Sequence, residues 1–462
     1  MVGMATVDQI PGDAGSAAQR VADLDRAGVE LIELSFVDNA GITRLKAVPL
    51  GRLGLAAAHG VGASPCFEAF GSDDVMVPGR YLGGPDGDLR LVPDLDRCVP
   101  LAGVAGWAWA PADKFTQDGS RFVACQRAFA ARQVAVARDR GLSLRMALEH
   151  EWILGAAGAD DFVPAFAGPA YGQIRLEQVA GYARELVADM RSQGLAVDQF
   201  HPEYAISQLE MSVAATDPVS AADDAVLVRH TIRTRSLRHG WRATFAPSVD
   251  PSGAGSGAHL HLSVHDADGS LMCGGSGPAG LRGTGEAFVA GVLRELPALV
   301  AIGAGHPVSF LRLQPSRWAG IWQCWGIETR ETAIRFIPGV TGTAPWAANC
   351  EIKCFDATAN PYLLVGTVIA AGLAGVDDDL RLPAPVTGDP ALLDPVAQAS
   401  AGIHRLPTSA VEAADALQES HVLAAALGPE LHDAILTVRR SEADRCAALS
   451  AADLAASTRW RW

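Results

Sequence analysis

The sequence predicts an α+β protein in two parts, a small N-terminal domain over residues 1–112 and a larger one over residues 113–462. Three observations lead to this prediction. The chain has 462 residues, more than one hydrophobic core normally accommodates. Strand patterns and amphipathic helix patterns are mixed along its whole length. The character of the chain also changes near Asp113, after which long helices separate short strands.

The N-terminal part combines helices with a hairpin. An amphipathic helix pattern at residues 19–29 precedes a strand at residues 31–37, and the turn signal at residues 38–41 leads into a second strand at residues 42–49. A short helix at residues 50–58 and a Gly/Pro-rich loop follow. This order predicts a small sheet with helices packed against it.

The second part is dominated by longer helix patterns. Six segments have the spacing of apolar residues that is typical of helices. They are residues 121–140, 176–193, 221–239, 283–300, 411–427 and 430–449.

Composition and charge restrict the class of protein. With 49% hydrophobic and 19% charged residues, the chain has no run of the roughly 18 to 20 apolar residues that a membrane span requires. A net charge of −15 disfavours nucleic acids and anionic membrane surfaces as partners. The N-terminus has neither the basic nor the apolar region of a signal peptide, and the eight cysteines form no Cys-x-x-Cys pair. We therefore expect a cytoplasmic protein with reduced thiols.

Several strand patterns carry chemically unusual polar faces. In residues 258–264, His259, His261 and Ser263 alternate with apolar residues and so lie on one face. The same division recurs in residues 208–213 and 350–354. Acidic residues of these and nearby segments are Glu149, Glu151, Glu203, Glu210 and Glu351.

An ordinary solvated sheet face explains any one of these strands, but the strands together favour a cation site. Five carboxylates on converging strands are costly to hold without positive charge. Carboxylates with one or two histidines favour Mg²⁺ or Mn²⁺ over zinc, and two such ions can clamp a phosphate during transfer. Arg330 and Arg335 provide cations suited to phosphate oxygens.

Five motifs in order resemble those of the glutamine synthetase superfamily. The resemblance extends over nearly the whole chain and is closer to γ-glutamyl-amide (polyamine) ligases than to true glutamine synthetases. The motifs are Leu-Glu-His-Glu-Trp at 148–152, Glu-to-Glu with a central Gln at 203–210, Gly-Ser-Gly-x-His-x-His-x-Ser at 255–263, the arginine segment at 330–335 and Glu-Ile-Lys-Cys-Phe-Asp at 351–356.

The resemblance implies a fold, an assembly and a set of site residues. The fold is an N-terminal β-grasp domain followed by a catalytic domain with a curved antiparallel sheet surrounded by helices. The assembly is a homo-oligomer of two stacked hexameric rings, a dodecamer, with sites between neighbouring subunits. Glu151, Glu203 and Glu210 would hold one metal and Glu149, His259 and Glu351 the other. The residues facing ATP would be Asp198, His261, Ser263, Arg330 and Arg335, and Gly255 and Arg312 would face the amino-acid substrate.

Departures from the family pattern concern the nitrogen substrate. Family members that use ammonia have an acid in an N-terminal loop and another in a flap, but here the first position falls near Gly62 and the second at Trp318. A larger, apolar pocket is expected to bind free ammonia poorly. Lys353 and Ala254 replace an Arg and an Asn near the acid substrate, and lysine lacks the bidentate fork of arginine.

The resemblance therefore implies an ATP- and Mg²⁺-dependent acid–amine ligase that joins glutamate to an amine other than ammonia. A true glutamine synthetase and a ligase for another carboxylic acid stay open as alternatives. A metal-dependent hydrolase would not need ATP, and a structural protein would not need all six metal positions. Glu68, Asp73, Asp74 and Glu328 are candidates for the base that replaces the missing acids. The sequence does not identify the amine.

Overall fold

Helices and strands are mixed throughout the structure, a computed structural model that describes residues 14–158 and 161–462. This confirms the α+β class. The expectation of a chain without a signal peptide concerns mainly residues 1–13, which lie outside the described residues. The strands are β1 (Leu31–Val37), β2 (Thr43–Pro49), β3 (Val61–Ala63), β4 (Leu89–Pro93), β5 (Val99–Pro100), β6 (Trp107–Phe115), β7 (Ser143–Leu148), β8 (His150–Ala156), β9 (Val197–Pro202), β10 (Gln208–Val213), β11 (Trp241–Thr244), β12 (Leu260–Asp266), β13 (Gly269–Ser270), β14 (Trp322–Ile327), β15 (Thr332–Ile337), β16 (Asn349–Ile352) and β17 (His404–Arg405).

The helices follow the predicted segments to within a few residues at most ends. They are α1 (Ala14–Arg26), α2 (Leu53–His59), α3 (Gln126–Asp139), α4 (Gln173–Ser192), α5 (Pro218–Arg238), α6 (Gly283–Gly303), α7 (Ser309–Arg312), α8 (Ala344–Ala347), α9 (Pro361–Asp377), α10 (Pro395–Ser400), α11 (Ala410–Glu419), α12 (His421–Leu427), α13 (Pro429–Cys446) and α14 (Ala451–Thr458). Among the described residues, no helix combines the length and apolar character needed to cross a membrane.

The N-terminal sheet has the strand order β2-β1-β6-β4-β3, with β5 paired to β6. Strands β1 and β6 are parallel, and the remaining pairs are antiparallel. Ile32, Leu34, Leu53 and Leu91 form the centre of a separate small core beneath α1 and α2. Residue 113 lies within β6, so the division into residues 1–112 and 113–462 stays a proposal and its boundary cuts a paired strand.

Two further sheets form a curved surface in the larger part. One has the order β11-β8-β10-β9, and the other has the order β13-β12-β16-β15-β14-β17 with β7 on β12. Glu149 alone separates β7 from β8 and therefore joins the two sheets. Most pairs are antiparallel, as predicted, although β14 and β15 are parallel.

Helix α9, which the sequence patterns did not separate from its surroundings, is buried along nearly its whole length. Asn360 caps it by accepting from the backbone N–H groups of Tyr362 and Leu363. Glycines allow close packing against α6, because a Cβ on Gly291 would lie 2.3 Å from the Ala371 carbonyl oxygen. The predicted helix at residues 411–427 is in fact two helices, since Ser420 ends α11 and caps α12.

Candidate active site

Strand register brings the acidic residues of three strands onto one surface. Glu210 on β10 lies opposite Glu151 on β8. Glu351 on β16 lies between His261 on β12 and Arg335 on β15. Directly opposed side chains on one sheet face are close neighbours. Glu149, at the junction of β7 and β8, completes this surface.

His259 is at the centre of the first cluster. Its Nδ1 is 2.8 Å from Glu149 Oε1 and 3.1 Å from Glu351 Oε1, and its Nε2 is 3.8 Å from Glu151 Oε1. Burial and Lys353 act to lower the pKa of His259, but hydrogen bonds to Glu149 and Glu351 outweigh them and raise it to about 9. The ring therefore lies in a strongly negative environment.

A second cluster consists of His201, Glu203 and Glu210. His201 Nε2 is 3.0 Å from Glu210 Oε1, and His201 Nδ1 is 3.8 Å from Glu203 Oε1. The hydrogen bond to Glu210 raises the pKa of His201 to about 9, and burial raises the pKa of Glu210 to about 7. His201 was not predicted from the sequence, although it lies two residues before Glu203, the spacing at which side chains of an extended segment share a face.

The donor set of both clusters fits hard divalent cations. Three groups have ligand atoms within 4.8 Å of one another: Glu149, Glu151 and His259; Glu149, His261 and Glu351; and His201, Glu203 and Glu210. Carboxylate oxygens with single imidazoles suit Mg²⁺ or Mn²⁺. The buried Nε2 of His261 has no hydrogen-bond partner among the described residues and lies 3.7 Å from Glu149 Oε2. All six predicted ligands lie in these groups, but Glu151 is grouped with Glu149 and His259 and not, as predicted, with Glu203 and Glu210. Their roles as ligands stay predictions.

Three basic side chains surround Glu351 and His259. Lys353 Nζ donates to Glu351 Oε1 at 2.9 Å, and Arg335 donates to Glu351 Oε2 at 3.0 Å. Arg312 donates to the Lys353 carbonyl oxygen and lies 3.0 Å from His259 Nε2. Burial acts to raise the pKa of Glu351, but the charge of Lys353 and the hydrogen bond to His259 hold it well below its ordinary value.

Backbone close to Gly255 supports both Arg312 and Glu151. A Cβ on Gly255 would lie 2.2 Å from the Pro247 carbonyl oxygen and 2.8 Å from Arg312 Cγ, so a side chain cannot be added without movement. Glu151 Oε2 accepts from Gln208 Nε2 at 2.9 Å and from the Gly257 N–H at 3.0 Å. Gly255 and Arg312 are therefore packed directly against each other beside the acidic surface.

The residues predicted to face ATP do not all lie on the acidic surface. His261 and Ser263 both lie on β12. His261 Nδ1 bonds Asn349 Oδ1 on the neighbouring strand β16 at 3.0 Å, and Ser263 Oγ bonds His265 Nε2 on β12 itself at 2.9 Å. Asp198 is exposed on β9, and no hydrogen bond or ion pair joins it to the acidic surface in the described part of the chain. Arg330 lies outside that surface, with its guanidinium carbon 5.6 Å from the centre of the Trp318 ring.

Residues 314–320 form a flap over one edge of the site. Arg317 donates to the Gly253 carbonyl oxygen at 2.9 Å, and Ser316 donates to Asp389 at 2.7 Å. Trp318 has a left-handed backbone with φ of 55° and is 54% exposed. Its backbone N–H donates to Glu331 Oε1 at 2.9 Å.

Two further tryptophans follow the flap on β14 and differ in burial. Trp325 is completely buried in the core, where its Nε1 donates to the Pro383 carbonyl oxygen, whereas Trp322 is half-buried beside Arg405.

Three of the four candidate bases named from the sequence are engaged elsewhere within the chain, whereas Glu328 is exposed directly after β14. Glu68 is buried and ion-paired with Lys114, and Asp73 is ion-paired with Arg445 at 2.7 Å. Asp74 is 2.6 Å from Arg44.

Comparison with known proteins agrees with this geometry. The family model for the glutamine synthetase catalytic domain matches residues 123–454. The chain is 49% identical over 98% of both lengths to gamma-glutamylpolyamine synthetase GlnA3 of Streptomyces coelicolor. It is 27% identical to the glutamine synthetase of Halobacterium salinarum, over 93% of this chain and 95% of that protein. A crystal structure of a novel glutamine synthase homolog superposes with a TM-score of 0.83 at 32% identity, covering 94% of this chain and 99% of that one. The chain therefore belongs to the glutamine synthetase family of carbon–nitrogen ligases.

Proposed function

We propose that this protein is an ATP-dependent ligase that joins the γ-carboxylate of glutamate to an amine larger than ammonia. The observation that carries the proposal is the combination of a family-type acidic surface with Trp318 at the flap, where ammonia-using members have an acid. The likeness to a γ-glutamylpolyamine synthetase over the full chain supports a polyamine as the nitrogen substrate.

The reaction has two chemical steps. The terminal phosphoryl group of ATP is transferred to a γ-carboxylate oxygen of glutamate, which yields ADP and an acyl phosphate. The amine nitrogen then attacks the carbonyl carbon, the bond from that carbon to the phosphate oxygen breaks, and phosphate leaves. The first step is needed because a carboxylate anion is a poor electrophile with no good leaving group.

The side chains have roles that follow from their surroundings. The clusters around His259 and His201 would hold Mg²⁺ or Mn²⁺, which when bound supplies positive charge to phosphate oxygens. Arg335 would stabilise the transferring phosphoryl group, and Arg330 would reach it after leaving the Trp318 ring. Arg312 and Lys353, beside Gly255, would bind the carboxylates of glutamate.

A panel of amines tests this proposal. Phosphate release is measured with ATP, Mg²⁺ and glutamate fixed while ammonia, ethanolamine, ethylamine and 1,4-diaminobutane are varied. We expect high activity with an organic amine and trace activity with ammonia, and omission of glutamate should abolish release. Preference for ammonia over every organic amine would refute the proposal.

The Trp318→Glu variant tests whether the flap selects the nitrogen substrate. Restoring an acid there should raise activity with ammonia and lower it with the preferred amine. If neither changes, Trp318 does not line the nucleophile pocket.

We also propose that the active form is a dodecamer of two hexameric rings, because the family site requires the N-terminal domain of a neighbouring subunit. Light scattering during an activity assay tests this. A fully active monomer would contradict it.

A further inference from the structure

Glu331 is a buried carboxylate at the base of the flap with one oxygen unengaged. The residue is 6% exposed, and its Oε1 accepts the Trp318 N–H at 2.9 Å. Its Oε2 is buried without a hydrogen-bond partner among the described residues. Leaving a charged oxygen buried and unpaired costs free energy, so this atom is suited to a positively charged donor.

Glu331 also lies next to the site. The flap reaches Lys353 two residues beyond Trp318, because a Cβ on Gly320 would lie 2.7 Å from Lys353 Cβ. Lys353 in turn contacts Glu351 of the acidic surface. Because the charge of Lys353 also acts on Glu331, the buried carboxylate of Glu331 is near this edge of the acidic surface.

The surroundings of Glu331 suit an extended cation. Asp389, held by Ser316, adds a second negative charge nearby, and the indole of Trp318 leaves an exposed aromatic surface outside the acid. Aromatic faces attract alkylammonium groups. Burial raises the pKa of Glu331 above its ordinary value, and Asp389 adds to this while the Trp318 N–H and Lys353 oppose it. A raised pKa makes a carboxylate a better proton acceptor.

We propose that Glu331 binds the reacting ammonium group of a primary alkylamine and accepts its proton, an inference that rests on the ligase function proposed above. One proton passes from the ammonium nitrogen to Glu331 Oε2, and the freed lone pair attacks the acyl phosphate carbon. The carbon–oxygen bond to phosphate breaks, and the departing phosphate carries away the second nitrogen proton. An alkylamine needs such a base because its pKa is close to that of lysine, about 10.4.

The test compares Glu331→Gln with wild type using two nucleophiles, 1,4-diaminobutane and hydroxylamine, at fixed ATP, Mg²⁺ and glutamate. Hydroxylamine is largely uncharged at neutral pH and does not need the base. We expect kcat with the diamine to fall by about 100-fold, the usual contribution of a general base, while activity with hydroxylamine is largely retained. Glu331→Asp should recover part of the diamine activity. The matched control is Glu419→Gln, which removes an exposed acid at the end of α11 and should change neither reaction.

The pH dependence gives a second measurement. In Glu331→Gln the diamine rate should rise about tenfold per pH unit towards the amine pKa, because only free amine reacts. Equal loss with both nucleophiles, or no loss with the diamine, would overturn the role of Glu331. A wild-type protein that releases phosphate with neither nucleophile would refute the ligase function itself, and the inference with it.

Discussion

Lys353 is predicted to control both the stability of the metal-free protein and its response to Mg²⁺. Its ammonium group is 2.9 Å from Glu351 Oε1, and both side chains are almost fully buried. Removing one partner of a buried ion pair typically costs about 3 to 5 kcal/mol. Glu351 keeps Arg335 at 3.0 Å and His259 at 3.1 Å, so the lower end, about 3 kcal/mol, is expected for Lys353→Met.

The same substitution should strengthen the response to metal. Without the lysine charge, the acidic surface should bind Mg²⁺ more tightly, and a tenfold gain in affinity adds about 1.4 kcal/mol of stabilisation at saturating metal. Chemical denaturation in EDTA and in excess MgCl₂ measures both quantities, with Lys46→Met, at an exposed position, as the control. An equal free energy of unfolding for Lys353→Met and wild type in EDTA, or equal stabilisation of the two proteins by Mg²⁺, would contradict this prediction.

Three further predictions follow from individual contacts. His201→Ala removes the partner of Glu210 at 3.0 Å, and Mg²⁺ titrations of phosphate release should show at least a tenfold higher metal requirement; an unchanged requirement would exclude His201 from the site. Gly255→Ala forces a Cβ to 2.2 Å from the Pro247 carbonyl oxygen and should lower kcat/KM for glutamate at least tenfold, about 1.4 kcal/mol, whereas Gly253→Ala, whose Cβ meets nothing closer than 3.5 Å, should not. Burial lowers the pKa of His306 to about 4. His306 is therefore neutral in the folded state, and its contribution to stability is complete above pH 6.5 and lost as the pH falls towards 4. The free energy of unfolding, measured between pH 6.5 and 4, should fall by up to about 3 kcal/mol in wild type and by less in His306→Asn. An equal decrease in the two proteins would contradict the role of His306 in this pH dependence.

Elements with two distinct faces could be predicted from the sequence. Strand β1 was placed at its observed residues because its apolar and polar positions alternate, and α4 was placed within a few residues of its bounds because its apolar residues recur at helical spacing. Helix α9 was not identified, since a helix that is apolar on every side leaves no periodic pattern. Its start was nevertheless encoded by Asn360 followed by Pro361, a cap followed by a preferred first residue.

The candidate site was predictable where it depends on local alternation and not where it depends on contacts distant in sequence. The six predicted metal ligands lie on strands or strand ends whose faces follow from spacing. The pairing of His201 with Glu210 requires the register of β9 and β10, which spacing alone does not specify. The position of Arg330 over Trp318 and the burial of Glu331 depend on how the flap packs, so neither could be derived from the sequence.

Glu149, the single residue between β7 and β8, restricts how this protein can diverge. An insertion or deletion there would turn the side chains of one sheet over relative to the other, because strand side chains alternate with a period of two. His259 would then face carboxylates from only one of the two sheets. A change in chain length at this junction would therefore separate the acidic residues of the two sheets.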